Sequence, residues 1–239
     1  MLNYASITNS GGRMLNEDCL KISCVSNRHC FVVCDGLGGH DSGNVASKIA
    51  ANSFVDELYY CEDLSEYLLK AFDIAQKQVL FRQKENDANK EMKTTAVCLV
   101  TDEDTFQVGH VGDSRFYGFK NDGTYIRTLD HSMPQLLVQS NTITEAEIRK
   151  HPSRNMLLKA IGDESNEQLC DLSDHLPLSD FRAFLLCSDG FWELVDEDEM
   201  LFTLSQSSSP QEWLDKMSEI ITGKANDISD NYSAIAIII

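Results

Sequence analysis

Apolar and polar residues alternate along short stretches near the start of the chain, and a longer helical period follows them. Residues 3 to 9 alternate weakly, as an edge strand does, and Leu20, Ile22 and Cys24 alternate as a second strand. Cys30 to Cys34 is a continuous apolar run that pairs with it as a hairpin. From Gly43 to Cys61 the period changes, with Val45, Ile49, Ala50, Phe54 and Leu58 on one helical face. Leu68, Phe72, Ala75 and Val79 predict a second helix from about Leu64 to Lys84. A polar loop, Asn86 to Lys93, leads to strands at Thr94 to Val100, Thr105 to Val111, Ser114 to Lys120 and Tyr125 to Leu129. Asn121-Asp122-Gly123 joins the last two as a hairpin turn.

A short helical stretch from Met133 to Gly162 follows, carrying a capping box at Thr144 and Glu147. It divides two strand-rich halves, either as a flap or as an ordinary insertion. Strands resume at Leu169 to Leu172 and at Phe181 to Ser188. Asp196 with Glu199 begins one helix, and Ser209-Pro210-Gln211-Glu212 begins another that carries Trp213, Met217, Ile220 and Ile221 on one face. An apolar strand closes the chain. Two helix pairs flanking a largely antiparallel double sheet, an α+β arrangement, account for this order; a parallel sheet would require regular strand-helix alternation.

At 239 residues and 42% apolar, the chain can bury a substantial core. Its 20 basic against 38 acidic residues give a net charge of −18. That argues against nucleic acid or an anionic membrane as partner, and obliges a negatively charged substrate to meet locally concentrated positive charge, such as bound divalent cations. No window is apolar enough for a membrane span and residues 1 to 10 lack a signal core, so the expected location is cytoplasmic. The eight cysteines form no Cys-x-x-Cys pair, and those in apolar runs (Cys24, Cys30, Cys34, Cys98, Cys187) read as small core residues in a reducing compartment.

The candidate chemistry lies where strands end. Phe31-Val32-Val33-Cys34 stops at Asp35 and breaks into a turn with Gly36, Gly38 and Gly39, whose missing Cβ atoms let backbone carbonyls approach an ion. Phe184 to Ser188 runs into Asp189-Gly190 in the same way, and Asp230 precedes the closing strand. One Asp-Gly pair is commonly just a turn. Three carboxylates in the same context, without histidine and cysteine at zinc spacing, suit Mg²⁺ or Mn²⁺. The loop Arg13 to Asp18 adds an arginine, whose planar fork matches phosphate oxygens, and two acids, Glu17 and Asp18, able to hold a metal directly or through water. A surface salt bridge would account for the loop equally well. Asp113 is a further carboxylate at a strand end, and His131 reads as a capping or packing residue.

Arg13-x-x-Asn16-Glu17-Asp18, Asp35-Gly36-x-Gly38-Gly39-His40, Thr94-Thr95-Ala96, Gly112-Asp113-Ser114-Arg115, Asp130-His131-Ser132, Ser188-Asp189-Gly190 and Asp230-Asn231 together resemble, in order and spacing, the metal-dependent Ser/Thr protein phosphatases of type 2C, in their bacterial-type branch. Ile143 to Glu147 and His151 to Asn155 look like that family's flap. The resemblance implies a four-layer α-β-β-α sandwich, one catalytic domain over 1–239 with a flap-like insertion at about 132–165. It also implies two Mn²⁺ or Mg²⁺ ions held by Asp35, the Gly36 carbonyl, Asp189 and Asp230, with Glu17 and Asp18 binding directly or through water. Asp113 would help hold a weaker third ion, and Arg13 would grip the phosphate. A water bridging the two ions would attack phosphoserine or phosphothreonine without a covalent phosphoenzyme. The implied partners are phosphorylated proteins, among them a Ser/Thr protein kinase, for a monomeric enzyme.

Two departures stand out. Leu37 replaces the histidine that eukaryotic relatives carry as a general acid, so leaving-group protonation would rely on metal-bound water, and Glu193 replaces the usual aspartate near the third ion. The competing readings are a pseudophosphatase that binds phosphoproteins without turnover, and a two-metal phosphoesterase of small molecules or nucleotides. The first would be expected to lack a primary metal carboxylate, and none is missing; the second would show a base-stacking or basic groove, and none is evident.

Overall fold

A computed structural model describes residues 2–38, 42–85, 91–164 and 169–239. Gly39 and His40 of the glycine-rich motif, and most of the polar loop before Thr94, lie outside the described residues. In chain order the strands and helices are β1 (Asn3–Asn9), β2 (Cys19–Val25), β3 (Arg28–Cys34), β4 (Gly36–Leu37), α1 (Ser42–Tyr60), α2 (Tyr67–Glu85), β5 (Lys93–Thr94), β6 (Ala96–Thr101), β7 (Thr105–Val111), β8 (Arg115–Lys120), β9 (Tyr125–Arg127), α3 (Met133–Gln139), β10 (Asp171–Leu172), β11 (Leu176–Pro177), β12 (Phe181–Cys187), α4 (Asp189–Trp192), α5 (Glu197–Ser205), α6 (Pro210–Lys224) and β13 (Tyr232–Ile238).

Among the described residues two large antiparallel sheets result, with β4 and β5 paired separately as a two-stranded ribbon. One runs β1-β13-β12-β8-β9 and the other β10-β7-β6-β3-β2, with β11 also on β7. Their facing sides interdigitate Phe31, Val33, Val97, Leu99, Phe106, Phe184, Leu186, Ile235 and Ile237, all at most 1% exposed. The alternate residues point outward. Val32, Cys98 and Val100 pack under α1 and α2, and Leu185, Cys187, Ala234 and Ala236 pack under α5 and α6. The expected four-layer sandwich is therefore present, made by the two-residue period of strands that are buried on both faces.

Local differences from the sequence reading have local causes. The strand expected from Thr94 is interrupted at Thr95, because Thr94 pairs with Gly36 while the N–H of Thr95 donates to the Asp35 carbonyl. The strand expected at Leu169 to Leu172 shrinks to Asp171 and Leu172, and Ser188 leaves β12 to cap the short helix α4. Cys24 is exposed rather than part of the core: it shares the face of Leu20 and Ile22 but lies at the end of the edge strand β2, beside the turn at Ser26; the other four cysteines named above are buried. The two capping boxes, at Thr144 and Asp196, form as the sequence indicates, although the first starts a 3-10 helix, Glu145–Lys150. Among the described residues no helix is long and apolar enough to cross a membrane.

Candidate functional site

Strand register brings the scattered acids to one end of the sandwich. Cys19 pairs with Cys34, which sets Asp18 beside Asp35. Cys187 pairs with Ala234 on one side and with Arg115 on the other, which gathers Asp189, the Asp230-Asn231 segment and the Asp113 turn. These residues border a cleft of about 390 Å³ lined by Arg13, Glu17, Asp35, Gly36, Asp113, Asp189, Asp230 and Asn231, with Leu37 and the inserted segment's Asn155 and Leu157 at its wall. Asp18 stands beneath that wall, 7% exposed, and Glu193 lies outside it, its Oε1 3.0 Å from Arg154 Nε.

Hydrogen bonds from distant segments hold the turns that carry these acids. The Thr95 N–H and the Thr94 hydroxyl both donate to the Asp35 carbonyl at 2.8 Å, and the Asp35 N–H donates to Thr95 Oγ1 at 3.0 Å. This explains the Thr94-Thr95 motif. Gly36 packs so tightly on α1 that a Cβ there would run into the Gly43 carbonyl. Asn231 stitches the arginine-bearing loop to β13: its amide donates to the carbonyls of Ser10 and Leu15 at 2.9 Å and its oxygen accepts from the Glu17 N–H at 2.8 Å. Ser188 Oγ donates to Asp18 Oδ2 at 2.8 Å and accepts from the Ser233 N–H at 2.9 Å. Asn231 and Ser188 stand in the motifs, but their partners lie up to 221 residues away in sequence, so composition and spacing could not assign them a role.

Behind Asp113 lies a support that the sequence reading missed. Arg115, 2% exposed, makes a bidentate pair with Asp130 at 2.8 and 2.7 Å and stacks 3.4 Å above the Trp192 ring. Trp192 Nε1 donates to the Asp113 carbonyl at 2.9 Å. Arg149 of the inserted segment donates through Nε to the Trp192 carbonyl and through Nη2 to Glu197, both at 2.9 Å. The recurrence of Arg115 and Asp130 in the two quoted motifs was the available signal.

So many acids in so little water repel protons poorly. Burial, with the charges of Asp189 and Asp230 adding, pushes Asp18 up to about 7 against the opposing hydrogen bonds of Ser233 and Ser188. Asp35 is raised well above the usual carboxylate range by burial and then by Asp18, Asp189 and Asp113. Burial likewise raises Asp113 and Asp189, with Asp189 acting on the first and Asp230 on the second. Glu193 is raised to about 7, first by burial and then by Asp189, against the pull of Arg154. Asp18 Oδ1 and Asp189 Oδ1 are buried without a hydrogen-bond partner. Clustered, partly orphaned carboxylate oxygens fit hard divalent cations, which would supply the missing charge. Arg13 at the rim, its Nη2 3.0 Å from Asp230 Oδ2, is half exposed and can turn toward an anion in the cleft.

The family model for protein phosphatase 2C matches residues 10–223. The serine/threonine phosphatase stp of Listeria welshimeri is 30% identical over 237 residues, covering 95% of this chain and 88% of that protein. The crystal structure of the serine/threonine phosphatase Stp1 from Staphylococcus aureus has a TM-score of 0.88 at 30% identity, covering 100% of this chain and 95% of that one. The catalytic domain of the phosphatase PstP, solved with two manganese ions, shares the fold at a TM-score of 0.82 and 23% identity, over 99% of this chain and 97% of that one.

Proposed function

Because the chain belongs to the protein phosphatase 2C family, we propose that it is a metal-dependent phosphatase of phosphoserine and phosphothreonine in proteins, formed by one catalytic domain over 1–239 with a flap-like insertion at about 132–165. The observation that carries the proposal is the convergence of Asp35, Asp189, Asp230, Glu17 and Asp113 on one cleft with Arg13 at its rim. Asp35, the Gly36 carbonyl, Asp189 and Asp230 would hold two divalent ions, Mn²⁺ or Mg²⁺, aided by Glu17 and Asp18, and Asp113 would support a weaker third. When bound, such a pair lowers the pKa of a shared water and offsets charge on the attacking and leaving oxygens.

The chain's own residues do the rest. Arg13 releases Asp230 to take two phosphoryl oxygens with its planar fork, which fixes the phosphate over the acids. Asn231 keeps the Arg13 loop at the distance this requires. Leu37 offers no proton at the cleft wall and, among the described residues, no histidine lines the cleft, so solvent would supply the proton for the departing serine or threonine oxygen. Among the described residues the wall has no ring on which a base could stack and one cation at its rim, which favours a phosphorylated side chain over a nucleotide. Its substrates would be cytoplasmic phosphoproteins, a Ser/Thr kinase among them, met by a monomer.

A panel of phosphothreonine, phosphoserine and phosphotyrosine peptides and nucleotides, assayed with the wild-type protein and Asp35→Ala, tests this reading. Release from the first two that disappears in the variant is expected. Activity retained by Asp35→Ala, or confined to nucleotides, would overturn it.

A further inference from the structure

His131 has a more specific task than packing. Its backbone N–H donates to the Gly112 carbonyl at 2.8 Å, and its ring Nδ1 accepts from the Gly112 N–H at 3.2 Å. Both polar groups of one residue are thereby gripped by one histidine, immediately before Asp113. Gly112 has φ +93° and a Cβ on it would come within 2.6 Å of Thr95 Cγ2, so the turn has little room to settle elsewhere. On the far side, Trp192 holds the Asp113 carbonyl.

The ring can do this only in one tautomer. A backbone N–H can only donate, so Nδ1 must carry the lone pair and the proton of the neutral ring sits on Nε2. That nitrogen faces a carboxylate: Asp171 Oδ2 lies 3.2 Å away, off the ideal hydrogen-bond line. Asp171 is on β10, opposite His110 in the register with β7, and its other oxygen lies 3.6 Å from Lys159 Nζ. The inserted segment returns to the sheet at the same place. Leu158 N–H donates to the His131 carbonyl at 2.8 Å, and Leu157 bridges to Ser132.

His110, His131 and Asp171 also place donor atoms within 4.8 Å of one another. They do not make a metal centre in this arrangement. The two imidazoles are stacked, 4.6 Å apart and 19° from parallel, so their in-plane lone pairs run side by side instead of converging. His131 Nδ1 is occupied by Gly112, and His110 Nε2 is 2.8 Å from the Leu129 carbonyl, to which it can only donate.

We propose that Asp171 and His131 form a positioning pair for the reaction: Asp171 fixes the tautomer and orientation of His131, and His131 holds the Gly112–Asp113 turn and the returning arm of the inserted segment in register with the cleft. The kinetic consequence rests on the phosphatase reading; the tautomer does not. Outer partners that orient a metal ligand commonly change affinity or activity about 10- to 100-fold when removed.

The test uses Asp171→Ala and Asp171→Asn, which keep His131 and touch no cleft residue, with His131→Phe as a third variant. Long-range proton–nitrogen spectra of the full-length protein report the His131 tautomer, and phosphopeptide turnover with the Mn²⁺ concentration for half-maximal rate is measured on the same samples. The wild type should show only the Nε2-protonated ring. Asp171→Ala should add the Nδ1-protonated form, lower kcat about 10-fold and raise the Mn²⁺ requirement with KM for peptide little changed. Asp171→Asn, whose amide oxygen can still accept from Nε2, should restore most of both. A wild-type ring protonated at Nδ1, or Ala and Asn variants alike in tautomer and kcat, would overturn the proposal. A wild type that hydrolyses no phosphopeptide yet shows the expected tautomer would instead remove the phosphatase reading alone.

Discussion

Asp18→Asn is expected to make the metal-free protein more stable at pH 8 while weakening metal binding. In the folded chain Asp18 is raised from 3.8 to about 7, so the folded protein holds more protons than the unfolded chain across roughly pH 4–7. Its stability therefore falls as pH rises through that window and levels off above about 7. A shift of about three units corresponds to about 4 kcal/mol lost at pH 8, against less than about 2 at pH 5, where the folded carboxyl is mostly protonated. Asparagine removes the titration and keeps an oxygen for the Ser188 hydroxyl. It also places an N–H at the buried position where Oδ1 has no partner, at about 1–3 kcal/mol. The net expectation is a gain of about 1–3 kcal/mol at pH 8 and none, or a loss, at pH 5. Urea unfolding of chelator-treated wild type and variant at the two pH values measures it. Equal effects at both would show that Asp18 is not held as a strained, proton-hungry carboxylate, and the electrostatic case for a cation site would lose its main support.

Breaking the buried pair behind Asp113 by Arg115→Met should destabilise the protein by about 3 kcal/mol in urea melts, because Asp130, 1% exposed, loses both short contacts and keeps only Arg127 at 3.8 Å. Asn231→Ala removes three hydrogen bonds and should lower kcat/KM about 10-fold or more, with the far-UV spectrum unchanged, since the Arg13 loop loses its tether. Arg13→Ala should cost about 10–100-fold in phosphopeptide kcat/KM, the worth of a charge-assisted contact, while Mn²⁺ binding measured calorimetrically stays within a few-fold. Gly36→Ala should fail to bind Mn²⁺ or to fold, as a Cβ has no space against Gly43, and soluble protein with normal metal affinity would contradict that packing.

Much of the fold was readable because the signals are local. Phe31 to Cys34 and Phe184 to Cys187 are apolar on both faces, as strands covered by a sheet on one side and helices on the other must be. The capping boxes at Thr144 and Asp196 mark their helices directly. Less was readable where a long-range partner decides. Thr95 leaves its strand because Asp35, 60 residues earlier, needs its hydrogen bonds. Only one turn of helix follows Ser188, too short for a periodic pattern to reveal. The acids Asp35, Asp189 and Asp230 were identifiable from their place at strand ends, but the supports formed by Arg115, Trp192, His131 and Asp171 depend on which strands become neighbours. Glu193, singled out for its length, meets Arg154 instead of the cleft wall.

The central claim is that the converged carboxylates work through bound divalent ions. Phosphate release from a phosphothreonine peptide by metal-stripped protein, titrated with Mn²⁺ and then Mg²⁺ beside Asp189→Ala, tests it most directly. The account predicts no release without metal, saturable release with it, and loss of that response in the variant. Release that persists in chelator, or a metal response unchanged by Asp189→Ala, would contradict it.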